Sequence, residues 1–333
     1  MKTIVEQYGN LQVLLKNGKR RLCSQSGEPV QLKGMSTMGL QWQNWVLNEG
    51  AFETLVNEWG CKIIRLAMYV QEGGYAITPA EKLADVEKGI ELCKKFGIYA
   101  LVDWHTLTPG DPTDTAYTEA GINLPQYAEI RKAHPDWGGA ELFFAYLSQK
   151  YGNLPNLLFE TANEPNKLPS GSWETVLKPY HEKIVKAIRV YDADTIPNVV
   201  ICGTETWSQD TDAVIGSLLD DTQTMYTMHF YAGTHGQDLR DKTQKALDAG
   251  VPVFCTEWGT TEADGGRNMK VYPVESDTWL QFLDQNGISW CNWSMTRGRE
   301  GSAAFAEAAP LNGRWKDSDL SESGLYVRAK IKS

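Results

Sequence analysis

From residue 30 onward the chain repeats one unit eight times: a short apolar run, a polar loop, and a longer stretch with the apolar spacing of an amphipathic helix. The runs are residues 30–35, 61–68, 98–104, 157–160, 198–202, 225–230, 251–257 and 288–294. Most are near-continuously apolar rather than alternating, the pattern of strands covered on both faces. Helices are predicted over 49–59, 79–96, 138–150, 173–191, 212–219, 239–249, 275–285 and 324–331. Thr78-Pro79 opens the second with an N-cap and a proline at the first helical position, and Gly97 closes it. Eight strands alternating with eight helices predict an α/β fold, a (β/α)8 TIM barrel. An open doubly wound sheet is the competitor, but no Gly-rich dinucleotide fingerprint follows the first strand and no P-loop occurs. Ahead of the repeat, Asn17-Gly18 separates two β-rich runs, the signal of a type I′ hairpin. The expected organisation is an N-terminal extension with a short β-hairpin over 1–29, covering the barrel bottom, and a catalytic barrel over 30–333.

Charge narrows the partners. The formal net charge is −10, with acidic and basic residues interspersed and no basic stripe. Nucleic acid and anionic membranes are therefore not expected partners, and a polyanionic substrate is disfavoured. No apolar run approaches the length of a membrane span. The N-terminal stretch MKTIVEQYGNLQVL is too polar for the apolar region of a signal peptide, so the chain is either cytoplasmic or lacks its leader. The six cysteines match no zinc or C-x-x-C spacing and read as buried free thiols. Of the 12 Trp and 14 Tyr, several sit in polar, Gly-rich stretches, where a flat ring suits the CH face of a sugar.

The carboxyl ends of the predicted strands, where such barrels hold their chemistry, are loaded with polar and aromatic groups. Arg65 lies on strand two, Asp103-Trp104-His105 ends strand three, and Asn163-Glu164-Pro165 follows strand four. Strand five leads to Gly203-Thr204-Glu205-Thr206-Trp207, and strand six ends in His229-Phe230-Tyr231. Glu257-Trp258-Gly259 ends strand seven and Asn292-Trp293-Ser294 ends strand eight. A long polar loop, 106–136, is expected on the same face. Two carboxyls facing each other can cleave a glycosidic bond. One protonates the leaving oxygen, and the other attacks the anomeric carbon or activates water. A catalytically dead sugar-binding barrel is disfavoured because both carboxyls are present. A metal hydrolase is disfavoured because His105, His229 and His235 form no H-x-H or H-E-x-x-H pattern, so neither metal nor cofactor is expected.

These motifs resemble the glycoside hydrolase family 5 cellulases, in particular the bacterial endoglucanases. The matching stretches are QLKGMSTMGLQW, IIRLAMY, DWH, NEP, GTETWSQD, MHFYAGTHGQDLRD, TEWGT and WCNWS. The resemblance implies an endo-β-1,4-glucanase with a retaining double displacement, Glu164 as acid/base and Glu257 as nucleophile. It implies that Asn163 contacts the sugar 2-hydroxyl, that Arg65 and Tyr231 hold Glu257, and that His105 and His229 line the cleavage subsite. Trp42, Trp207 and Trp293 match stacking platforms, and Tyr69 a further cleft aromatic. The partner implied is a β-glucan polysaccharide, met outside the cell by a monomer whose signal is absent from this chain. A β-mannanase or a broad β-glucanase on the same scaffold is the alternative. Arg65 could instead close an ion pair with Glu160, while Trp258 and Trp290 read as wall or core. The Asn292-Trp293-Ser294 sequon is discounted because it falls on a buried strand. Three positions depart from the family pattern: Met38 stands where His is usual, Gly298 where Lys is common, and Glu205 where Gly is frequent. Arg297, Arg299 or Glu300 is expected to replace the missing lysine. Glu205 is expected either in solvent or beside a group whose pKa it raises.

Overall fold

Eight parallel strands close on one another in the computed structural model, which describes residues 2–192 and 196–333. A two-stranded antiparallel hairpin precedes them, β1 (Gln12–Lys16) and β2 (Lys19–Cys23). Its turn places Asn17 at φ 51° and Gly18 at φ 78°, the double positive φ of the predicted turn. The barrel strands are β3 (Lys33–Ser36), β4 (Ile63–Tyr69), β5 (Tyr99–His105), β6 (Leu157–Glu160), β7 (Val200–Cys202), β8 (Thr224–Tyr231), β9 (Val253–Gly259) and β10 (Trp290–Asn292). They pair in sequence order, and β10 closes onto β3. Both the (β/α)8 barrel and the hairpin predicted from sequence are present.

Side chains alternate across each strand, which sorts the chain into layers. On β4, Ile64, Leu66 and Met68 join the large cluster beneath the helices. The alternate residue Ile63 joins an inner cluster with Leu101, Leu158, Ile201 and Phe254. Leu11, Val13 and Leu22 of the hairpin complete that inner cluster, so the hairpin plugs one end of the barrel. Two hydrogen bonds hold the plug: Tyr99 Oη donates to the Gly9 carbonyl (2.7 Å), and the Val13 amide donates to Gln223 Oε1 (2.8 Å). With the amino ends sealed, the carboxyl ends are the open face.

Helices Pro79–Phe96, Gly139–Tyr151, Lys178–Arg189, Gln237–Asp248, Pro273–Asn286 and Glu322–Lys332 agree with the predicted order. The predicted helix over 49–59 is an α-helix, Glu49–Thr54, that widens into a π turn, Leu55–Trp59. That over 173–191 begins with a π turn, Trp173–Leu177. The prediction over 212–219 is wrong. Only a 3-10 turn forms, Thr211–Val214, because Ile215 goes extended and Gly216 takes φ 80°. Its apolar residues are buried without a helix: Val214 and Leu219 both pack in the core, and the Leu219 amide donates to Tyr226 Oη (2.8 Å). The stretch 106–136 is not plain loop either, since it carries the helical turns Thr115–Thr118 and Ala128–Ala133. All six cysteines are buried and free. Among the described residues no helix is long and apolar enough to cross a membrane.

The tightest point of the barrel wall is Gly34 on β3. A Cβ there would stand 1.9 Å from the Ile63 carbonyl oxygen of the paired strand. Backbone cannot yield as a flexible side chain does, so Gly34→Ala forces β3 and β4 apart. A loss of about 1–3 kcal/mol or more is expected for such overpacking, read as a lowered urea midpoint with unchanged far-UV circular dichroism.

Candidate active site

The inward parity of β4 carries Arg65 above Ile63, then Ala67, then Tyr69. On β5 the corresponding residues are Leu101, Asp103 and His105, on β6 Leu158 and Glu160, and on β8 Thr227, His229 and Tyr231. β9 breaks the rule. Phe254 faces inward and Cys255 and Trp258 face the helices, yet Thr256 and Glu257 both meet interior groups. Pairing with β8 runs Thr227↔Phe254 and then His229↔Glu257, so β9 spends three residues where β8 spends two. This β-bulge turns two consecutive side chains inward.

Arg65 is fully buried and contacts three carboxyls of the site. Nε donates to Glu160 Oε2 (2.7 Å), Nη1 to Glu257 Oε2 (3.0 Å), and Nη2 to Asn163 Oδ1 (2.7 Å) and Glu160 Oε1 (3.2 Å). Nη2 also lies 3.0 Å from Asp103 Oδ2. The suspected Arg65–Glu160 pair and the hold on Glu257 thus coexist. Burial pushes the Glu160 carboxyl up, but the Arg65 charge and the His229 and Arg65 hydrogen bonds prevail and hold it at about 2. For Asp103 burial wins over Arg65, and its pKa is raised, with Glu160 and Glu257 adding to the rise. The second oxygen of Glu257 accepts from Tyr231 Oη (2.6 Å), so both its oxygens are fixed.

Glu164 follows β6, and its amide donates to the Thr106 carbonyl (3.2 Å). A neighbouring turn braces this segment. Ser208 Oγ donates to the Asn163 carbonyl (2.6 Å), and the Trp207 amide donates to the Pro165 carbonyl (2.9 Å). Thr206, Trp207 and Ser208 all take positive φ, 55°, 55° and 56°, which costs L-residues roughly 1–2 kcal/mol each. The turn aims Trp207 at the cleft.

One proton is shared at Glu164. Thr256 Oγ1 has a single hydrogen and donates it to Glu160 Oε1 (2.6 Å), so it can only accept from His229 Nε2 (2.8 Å). His229 Nε2 is therefore protonated, and the remaining proton lies between Nδ1 and Glu164 Oε1, 3.0 Å apart. Burial lowers the His229 pKa, but Glu160 and Glu164 outweigh it and raise it to about 9. His105 behaves oppositely. Burial first, then Arg65, lower it to about 3, so its Nδ1–H donates to Asp103 Oδ2 (2.6 Å) from a neutral ring.

The open face above these groups is a cleft of about 570 Å³. Tyr69, His105, Glu164, Trp207, His229, Tyr231, Glu257 and Trp293 line it, as do Met38, Leu107, Gln209 and His235. Tyr69 stacks on His105 (3.8 Å between centroids), and His105 on Trp293 (5.6 Å), giving a continuous aromatic wall. Trp42 extends this wall at the rim, 5.1 Å from Tyr69 and 46% exposed, outside the lining itself. Arg65 and Asn163 lie beneath the floor. Glu164, His229 and Glu257 bring one oxygen or nitrogen each within 4.8 Å of the others. That spacing could hold a cation, but His229 Nδ1 is engaged by Glu164, and both Glu257 oxygens by Arg65 and Tyr231.

A sequence profile of the family described as Cellulase (glycosyl hydrolase family 5) matches residues 23–299. The chain belongs to glycosyl hydrolase family 5. Within that family it is 41% identical over 308 residues to Endoglucanase A of Evansella cellulosilytica, covering 92% of this chain and 57% of the relative. It is 40% identical over 341 residues to Cellulase CelDZ1 of a Thermoanaerobacterium species, covering 97% of this chain and 82% of that one. The chain spans only 42% of the length of Endoglucanase C of Evansella cellulosilytica, to which it is 39% identical over 361 residues and 98% of this chain. Among solved structures it superposes on the alkaline cellulase K catalytic domain with a TM-score of 0.88 at 36% identity, covering all of this chain and 96% of that chain. The Thermobifida fusca endoglucanase Cel5A catalytic domain in complex with cellotetraose gives 0.83 at 31% identity, with full coverage of both chains.

Several expectations need correction within this family 5 frame. Glu205 is neither in open solvent nor in the cleft lining: its Oε1 accepts from the Trp173 amide at the start of a helical turn. Arg297 and Arg299 do not replace the missing lysine. Arg297 donates to the Glu307 carbonyl (2.6 Å) and lies over Trp45, and Arg299 donates to Glu307 Oε2 (2.8 Å). Only Glu300 reaches the cleft. Trp258 and Trp290 are core and Asn292 of the sequon is buried, all as expected, and Trp104 is core as well. Sequence reasoning missed the bridging role of Thr256, and it considered His235 only as a metal ligand. His235 Nδ1 accepts from the Tyr231 amide (2.8 Å) and so helps place Tyr231. The chain segment HFYAGTH held that signal.

The raised His229 pKa has a stability consequence with a definite sign. A histidine at about 9 when folded and 6.5 when unfolded stabilises fully below pH about 6.5, and that contribution disappears as pH rises through about 9. The urea midpoint of the wild type is expected to fall between pH about 6.5 and about 9.5. His229→Gln should show a smaller fall over the same range.

Proposed function

We propose that the chain is an endo-β-1,4-glucanase working by retaining double displacement, with Glu164 as acid/base and Glu257 as nucleophile. The observation that carries this reading is the carboxyl spacing, with an oxygen of Glu164 within 4.8 Å of an oxygen of Glu257. Retaining enzymes place their carboxyls about 5–5.5 Å apart, whereas inverting ones leave about 6.5–9.5 Å for a water. Glu257, with both oxygens held, attacks the anomeric carbon. Glu164 delivers to the leaving oxygen the proton it shares with His229. In the second half, Glu164 takes a proton from water, which attacks the same carbon and releases Glu257. Asn163 gives one N–H to the Thr106 carbonyl (3.2 Å) and keeps a second for the sugar 2-hydroxyl.

Aromatic rings along an open cleft support attack within a chain rather than at its end. Trp207, Trp293 and Tyr69 line the cleft, and Trp42 extends it at the rim beside Tyr69. The cellulases and endoglucanases that the chain resembles support β-glucan as the substrate class. A polymer of that kind is met outside the cell, so secretion belongs to this reading, as does action by a single copy. Residues 1–29 act as a plug and 30–333 as the catalytic barrel.

The deciding experiment is reducing-end release from mixed-linkage β-glucan, carboxymethylcellulose, glucomannan and xylan. The wild type is expected to cut the glucans, and Glu257→Gln to lose several orders of magnitude. Best activity on mannan removes the glucanase label, and full activity in Glu257→Gln removes the site. Proton NMR of the first product should show the β-anomer. Glu164→Gln should lose cleavage of polysaccharide far more than cleavage of an aryl cellobioside whose leaving group needs no proton.

A further inference from the structure

Two of the carboxyls lining the cleft have a cationic partner, Glu257 in Arg65 (3.0 Å) and Glu164 in His229 (3.0 Å). Beyond Glu164 and Glu257 the cleft presents Asp264 and Glu300, and among the described lining residues there is neither lysine nor arginine. Asp264 is occupied, since its Oδ1 accepts from the Gly266 amide (2.9 Å) and the Arg267 amide (3.3 Å). Glu300 has no cationic partner, and its Oε1 is buried without a hydrogen bond. The nearest basic residues in sequence turn away from it, Arg297 and Arg299 both to Glu307. Gly298 between them has no side chain to offer. Burial raises the Glu300 carboxyl, only the hydroxyls of Thr296 and Ser302 oppose this, and no cation contributes.

We propose that Glu300 acts as a charge filter, making the cleft select neutral β-glucan over the same backbone bearing carboxylate substituents. This rests on the β-glucanase reading above. A carboxylate accepts hydrogen bonds from sugar hydroxyls, which a neutral chain supplies at every ring. A carboxylated substituent offers no donor and repels the unpaired charge across the open cleft, where salt screens the repulsion. Discrimination of this kind comes from the repulsive element rather than from added attraction. The net charge of −10 on the whole chain acts in the same direction, but a single-residue change leaves most of it in place.

The test compares kcat/KM on carboxymethylcellulose with that on hydroxyethylcellulose, which has the same backbone with neutral substituents. Wild type, Glu300→Gln and Gly298→Lys are measured at low salt and at about 0.5 M salt. Gly298→Lys fits the fold, because a Cβ at 298 would meet only Thr296 Cγ2, at 3.7 Å. The carboxymethyl-to-hydroxyethyl ratio is expected to rise about fivefold in both variants at low salt, and the gap to shrink below about twofold at high salt. An unchanged ratio in both variants overturns the proposal. So does a rise that persists undiminished in high salt, which would mark a packing effect. A wild type inactive on both celluloses and on mixed-linkage glucan overturns the functional reading and this proposal with it.

Discussion

A guanidinium taken wholly out of water is the constraint on which the rest of the site depends. Removing a cation from solvent costs several kcal/mol even after relaxation, and only well-placed acceptors offset it. Arg65 finds three carboxyls, one amide oxygen and one hydroxyl around it, drawn from four strands and the segment after one of them: Ser36, Asp103, Glu160, Asn163 and Glu257. Closing the barrel brings these acceptors together, and the cation in turn fixes where Glu257 and Asn163 stand. Removing any partner would leave charge or dipole stranded in a dry interior. The chemistry therefore sits on a frame that cannot relax without loss of stability.

The same frame joins the two carboxyls that the reaction uses. From Glu257 the path runs through Arg65 to Glu160, then through the Thr256 hydroxyl to His229 and so to Glu164. Every link is a hydrogen bond between side chains, and all but Glu164 are buried. Because Thr256 has only one hydrogen to give, the direction of each bond from Glu257 as far as His229 is determined. The histidine must donate to the threonine, which leaves its other nitrogen to share a proton with the cleft carboxyl.

Much of this was legible in the chain. Each of the eight strands coincides with an apolar run, because a strand covered on both faces leaves an unbroken apolar signature. The polar residues closing those runs are the ones that line or support the cleft, since the open end of a plugged barrel is the one place they can be hydrated. The failures are local. Val214 and Leu219 gave a helical spacing to a segment whose apolar residues are buried by a turn at Gly216 instead. Glu205 looked like a cleft carboxyl because strand ends point there, but a left-handed turn of three non-glycine residues swings Trp207 inward and leaves Glu205 capping a helical turn. No composition or period signals such a turn. Thr256 was invisible for a related reason, as strict alternation cannot put two adjacent residues on one face.

That last point bears on how portable the site is. β9 is two half-strands of opposite parity joined at the bulge, and Glu257 belongs to the upper half. Grafting TEWG onto another barrel by matching strand to strand, one residue for one, would send either Thr256 or Glu257 into the helix layer. The extra residue is thus as much a component of the site as the carboxyls. A one-residue deletion in β9 would be read by the fold not as a shortening but as a swap of inside for outside, and a designer copying this cleft must copy its miscount.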